Sequence, residues 1–187
     1  MLNYNSVIKN EMKQESISVK EISPVIKINL RGKKREFLTN VGKNLNMILP
    51  TEANTSTTSD KLTAIWLSPD EWMIISNELA SKDTNKSDLY EMLFDRISKT
   101  NLGGVIDVTD QFVQLELKGE NVYEIFSAGS PFNFDEFKEK KGSTTQTVLN
   151  HVDVILNHKD ENILNLFVRR SFAEHLFSWI EDCASRL

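Results

Sequence analysis

Apolar positions along this chain form short alternating runs and longer helical stripes, and the two occur in the same order twice. Val25-Ile26-Lys27-Ile28-Asn29-Leu30 alternates, which predicts a strand with Ile26, Ile28 and Leu30 on one face. Gly32 ends it. Lys33 to Val41 then carries Phe37, Leu38 and Val41 at helical spacing, with Gly42 placed as a C-terminal helix cap. The pattern recurs at a constant offset of 87 positions, without a gap, over residues 26–47. Val113, Leu115 and Leu117 repeat the three strand positions, Gly119 repeats Gly32, Gly129 repeats Gly42, and Asn133-Phe134 repeats Asn46-Met47. Val122, Ile125 and Phe126 supply the second helical stripe. Agreement of two glycines and three strand positions indicates an internal duplication.

Each repeat continues into a hairpin and a helix. Ala64 to Leu67 and Trp72 to Ile75 read as strands joined by the turn Ser68-Pro69-Asp70-Glu71. Downstream, Val152 to Leu156 and Ile163 to Val168 flank a turn at His158 to Glu161. Asp88 to Ile97 places Leu89, Met92, Leu93 and Ile97 on one helical face. Phe172 to Arg186 does so with Phe172, Leu176, Trp179, Ile180 and Cys183, and Ser171 with Glu174 forms a capping box ahead of it. Residues 51–61 and 77–86 are polar and read as loops, and Gly103-Gly104 divides the repeats. The expected organisation is a polar N-terminal arm over 1–22, a first module over 23–102 and a second over 103–187. The fold class is α+β, two β-α-β-β-α modules packed together, each with one helix-covered and one exposed sheet face. Modules of this size are marginal alone, which is the reason to expect them to pack.

Composition narrows the function classes. A formal charge of −5 and a pI near 5.3 argue against non-specific nucleic-acid binding, which requires a basic surface. No apolar run is long enough to span a bilayer, and the first residues lack a secretory apolar stretch. The single cysteine, Cys183, fits a reducing compartment, so a soluble cytoplasmic protein is expected.

Candidate chemistry is sparse. No G-x-G-x-x-G follows a strand and no phosphate-binding loop is present, so the chain is expected to hold no cofactor of its own. His151, His158 and His175 lack metal-ligand spacing and read as separate surface or hairpin-end histidines, so no metal site is expected. Cys183 lies on the apolar stripe of the last helix, a packing position rather than that of a nucleophile. Asp107 and Asp110 both lie near a module boundary, where Asp commonly caps turns, although paired carboxylates can also divide acid and base roles. Arg169-Arg170 reads equally as an arginine fork holding a neighbouring chain's carboxylate or an anionic ligand, or as a solvated strand end. Trp66 and Trp72 flank a turn, and strand alternation leaves at least one of them half exposed, as a partner anchor would be, although core packing is the commoner fate of tryptophan.

Five strings in order, WLSPDEWMIIS (66–76), DVTDQFVQLELKG (107–119), SAGSPFNFDEF (127–137), TTQTVL (144–149) and FVRRSFAEHLFSWIEDCA (167–184), resemble the gamma subunit of heterotetrameric sarcosine oxidase. The last string is the most specific, and the proline-aspartate-glutamate-tryptophan turn comes next. Ser130 stands where that family usually has a cysteine, another is often found near Thr144, and the two polar loops differ from the usual ones. The resemblance implies a fold similar to the folate-binding domain of glycine cleavage aminomethyltransferase. It implies a non-catalytic accessory subunit, with alpha, beta and delta partner subunits, in a complex that oxidatively demethylates sarcosine to glycine. FAD, FMN, NAD, zinc and tetrahydrofolate would then reside on the other subunits. The alternative is a stand-alone folate-binding, aminomethyltransferase-like protein, for which Asp107 is the one candidate to meet the pteridine ring.

Overall fold

The computed structural model describes residues 4–22, 25–79 and 88–187. In chain order the elements are β1 (Met12–Lys13), β2 (Ser18–Glu21), β3 (Val25–Arg31), α1 (Arg35–Leu45), β4 (Ser56–Thr58), β5 (Leu62–Ser68), β6 (Glu71–Leu79) and α2 (Asp88–Leu93), which runs into a π-helical turn at Phe94–Ser98. They continue with β7 (Gly104–Asp107), β8 (Phe112–Lys118), α3 (Val122–Gly129), α4 (Asp135–Glu139), β9 (Thr144–Leu149), β10 (Val152–Asp160), β11 (Ile163–Arg169), a 3₁₀ turn at Arg170–Phe172 and α5 (Ala173–Ala184). The fold is α+β, and the chain separates into two compact units.

The first unit, built on Pro24–Asp110, is a five-stranded antiparallel sheet in the order β4-β5-β6-β3-β7. Ile28 and Leu30 of β3 meet Phe37, Val41 and Leu45 of α1 and Leu93 and Ile97 of the second helical segment in its core. The second unit combines Gln111–Leu187 with Asn5–Ser23 in a six-stranded antiparallel sheet, β1-β2-β8-β11-β10-β9. Val113, Leu115 and Leu117 of β8 pack there with Ile125 and Phe126 of α3 and with Leu176 and Ile180 of α5.

The duplication extends to individual hydrogen bonds. Gly32 N–H donates to the Asp70 carbonyl at 2.9 Å, and its repeat mate Gly119 donates to the Asn162 carbonyl at 3.0 Å. Each bond ties the end of a first strand to the turn of its hairpin. Gly119 has φ +139°, and a Cβ there would lie 2.0 Å from the Ser16 carbonyl oxygen, so the position admits only glycine.

Several local expectations change. The polar arm expected at 1–22 contributes strands, because Ser18–Glu21 pairs with β8 and buries Ile17 and Val19 beneath it. Apolar residues every second position outweigh the polar ones between them. The module boundary expected at 102/103 falls later, since Gly104–Asp107 pairs with β3 of the first unit. Within the loop read at 51–61, Ser56–Thr58 forms an edge strand. In the loop read at 77–86, residues 77–79 extend β6, and 80–86 lie outside the described residues. The left-handed residue ending α1 is Asn46 (φ 50°) rather than Gly42, whose carbonyl instead accepts the Met47 N–H at 3.1 Å.

No side chain caps α5, because Ser171 lies within the 3₁₀ turn, so the expected capping box does not form. Phe172, ahead of the helix, is 47% exposed instead of joining its apolar stripe. The sheet faces away from the helices are also not exposed as expected: Ile65, Met73, Ile155 and Phe167 are buried there. The runs around them are continuously apolar, as in strands covered on both faces.

Truncating Ile17 separates an ordered strand region from a loose arm. Ile17→Ala should cost about 2–4 kcal/mol, read as a lower denaturant midpoint at unchanged slope, because it removes a buried branched side chain. A loose arm would leave the midpoint within about 0.5 kcal/mol of wild type.

Candidate functional site

Strand register assembles a polar row that no local pattern announces. Lys20 of β2 lies opposite Glu116 of β8, Glu116 opposite Asn165 of β11, Asn165 opposite Asn157 of β10, and Asn157 opposite Thr144 of β9. Directly opposed residues share one face of a sheet, so the row crosses five strands. Glu116 is its charged centre, with a side chain 6% exposed. Lys20 and Lys118 approach one carboxylate oxygen at 3.2 Å each, and Lys159 approaches the other at 3.0 Å.

Burial raises the pKa of the Glu116 carboxyl, and the three ammonium groups, Lys159 foremost, outweigh it and bring the value down to about 2. So low a value leaves Glu116 no basicity for proton transfer near neutrality; its role is that of a permanent counter-charge. The lysines, about half exposed, keep part of their hydration while their stems cross the sheet. Two other shifts also lead away from neutrality. Burial pushes the Tyr123 phenol up to about 12 and raises the Cys183 thiol. These directions oppose what acid–base or thiolate catalysis requires.

The residues singled out from the sequence separate in space and role. Trp72 is core: it is 2% exposed, its ring lies 5.9 Å from that of Phe37, and it donates its indole N–H to the Pro50 carbonyl at 2.7 Å, so it is not an exposed anchor. Trp66, directly opposite it, is half-buried against the same core. Arg169 ends β11 and is exposed. Arg170 starts the 3₁₀ turn, its N–H donating to the Gln111 carbonyl at 2.9 Å and its guanidinium to the Asn5 carbonyl. The two arginines therefore do not form a fork on one strand.

Asp107 accepts the Thr109 N–H at 2.9 Å, closing a turn within its own segment. Asp110 is exposed. His151 sits in a two-residue turn with Asn150, both at positive φ, and His175 is exposed near the Asn150 amide. His158, expected at a surface or hairpin end, is 4% exposed, with Nδ1 3.0 Å from the Lys140 carbonyl and its ring beside Tyr123 and Phe137. Cys183 is half-buried against the core of the second unit. Among the described residues no three His, Cys, Asp or Glu side chains converge as a metal site would require. No helix among them is long and apolar enough to cross a membrane.

The proline-aspartate-glutamate-tryptophan turn is a hairpin lock. Asp70 accepts the Ser68 hydroxyl at 2.9 Å, which together with Lys33 and Arg31 lowers its pKa. Glu71 accepts the Asn29 amide at 2.7 Å. A feature that local sequence patterns did not reveal is an open groove of about 620 Å³ along the outer face of α1, lined by Arg35, Leu38, Gly42, Lys43, Met47 and Ile48 among others. The spacing 35, 38, 42, 43 could have suggested it as a stripe flanking the core face of Phe37 and Val41, with Leu38 at the shared edge.

The duplicated α+β architecture places this chain in a known structural class. It superposes on a chain of the heterotetrameric sarcosine oxidase from Corynebacterium sp. U-96 with a TM-score of 0.82, at 20% identity, covering 94% of this chain and 88% of that one. It also superposes on aminomethyltransferase T of the glycine cleavage system from Bartonella henselae, with a TM-score of 0.64 and 17% identity, over 88% of this chain and 45% of that one. No curated protein matches it in sequence. The chain belongs to the sarcosine oxidase gamma subunit family, which it matches over residues 32–186.

Glu116 gives this region a pH signature. Its folded pKa, about 2, lies below the ordinary value of 4.5, so its stabilisation is present above that value and is lost as pH falls toward 2. Glu116→Gln should lower stability at neutral pH by about 1–3 kcal/mol after solvent screening through the half-exposed lysines. The difference between mutant and wild-type urea midpoints should shrink steadily between about pH 5 and pH 2.

Proposed function

We propose that this chain is a non-catalytic accessory subunit of a heterotetrameric sarcosine oxidase, assembled in the cytoplasm with alpha, beta and delta subunits. FAD, FMN, NAD, zinc and tetrahydrofolate then reside on those subunits, which oxidatively demethylate sarcosine to glycine. The observation that carries this reading is the family match over residues 32–186. The chemistry of the chain supports it: the shifts of Glu116, Tyr123 and Cys183 all lead away from neutral pH, and Ser68, Asp70 and Trp72 of the proline-aspartate-glutamate-tryptophan turn serve hairpin closure and packing. The stand-alone folate reading has less support, since Asp107 spends a carboxylate oxygen on its own turn.

The test is affinity purification of the tagged chain from its native host. Three further polypeptides, a flavin absorbance spectrum and sarcosine-dependent peroxide production are the expected result. A colourless single chain would overturn the reading. In that event a melting shift with excess tetrahydrofolate, worth roughly 2.7 kcal/mol at a hundredfold its dissociation constant, would favour the folate alternative.

A further inference from the structure

The two repeats treat one equivalent position differently. In the second unit, Trp179 of α5 lies over Gly129 so closely that a Cβ there would come 2.5 Å from the indole ring. In the first unit the repeat mate is Gly42. There the only close approach is the Met47 carbonyl oxygen, 3.1 Å from where a Cβ would stand, and no side chain from elsewhere among the described residues comes within 4 Å. What Trp179 fills in one unit is open in the other.

The opening is the groove on the outer face of α1. Ile48, at its rim, is 83% exposed, the most exposed large apolar side chain among the described residues. Leu38 and Met47 extend the apolar floor. Arg35 and Lys43 stand along it, eight positions and so about 12 Å apart on the helix axis. No Asp or Glu lines the groove, and neither cation is held in an ion pair among the described residues. In a chain of net charge −5, an apolar groove with only cations beside it selects for a complementary partner.

We propose that this groove receives an amphipathic helix of a partner subunit, which sets a large aromatic or aliphatic side chain over Gly42 and carboxylates against Arg35 and Lys43. Helix-in-groove docking uses residues on one face, at spacings that match two turns of α1. The inference rests on the subunit reading above and specifies where the subunit docks.

The experiment measures the affinity of the purified full-length chain for the remaining subunits of the complex. The variants are Arg35→Glu with Lys43→Glu, and Ile48→Asp. Loss of affinity by at least about tenfold, smaller at high salt for the charge-reversed chain, with unchanged melting, is the expected result. A photoreactive residue replacing Ile48 should cross-link to a partner subunit. If the charge reversal impairs folding, Ile48→Asp carries the test, because that side chain is nearly all in solvent. Wild-type affinity in folded variants would overturn the docking site and leave the subunit reading intact. A cross-link to a second copy of this chain would overturn the occupant. A wild-type chain that binds no other subunit would overturn both.

Discussion

Both sheets depend on a first strand that is paired along both edges. A backbone N–H or C=O removed from water without a partner costs as much as a lost hydrogen bond, so an internal strand requires two neighbours. For β3 these are β6 and β7, and for β8 they are β11 and β2. The hairpin partner comes from the same repeat in each case. The other flanking strand does not: β7 follows the first repeat, whereas β2 precedes everything else in its sheet except β1. Ser18 therefore pairs with Lys118 across about half of the chain, a pairing that loop-closure entropy makes slow to form. Gly119 is required at the same junction, because the chain around Ser16 lies against it.

That long-range pairing also creates the polar row. Lys20 reaches Glu116 only because β2 lies beside β8 in that register, and a slip of β2 by one residue would turn Lys20 to the helix-covered face while β11 holds β8 in place. A carboxylate this buried would be costly alone. Three ammonium groups, each partly in water, compensate it with less desolvation than a fully buried pair would incur. The result is an electrostatic clasp on one sheet rather than a proton-transfer group.

Duplication lets the two copies diverge outside their common frame. The equivalent bonds from Gly32 and Gly119 preserve the junction of strand and hairpin. Beyond that junction the helices differ: α3 is covered by α5 at Gly129, while α1 keeps an uncovered outer face at Gly42.

Local periodicity was enough to determine the repeat, the strands around Ile28, Leu115, Ile74 and Leu166, the helices bearing Phe37 and Leu176, and the α+β class, because each depends on residues within one element or its immediate neighbours. The family strings were legible for the same reason, as contiguous side chains. Tertiary structure alone decided that Ile17 and Val19 belong to a sheet, that Trp72 is core while Ile48 is exposed, that His158 is buried, and that Glu116 meets three lysines. Each of those outcomes depends on which distant strand lies alongside and in what register, and a one-dimensional pattern records the face of a residue but not its neighbour across the sheet.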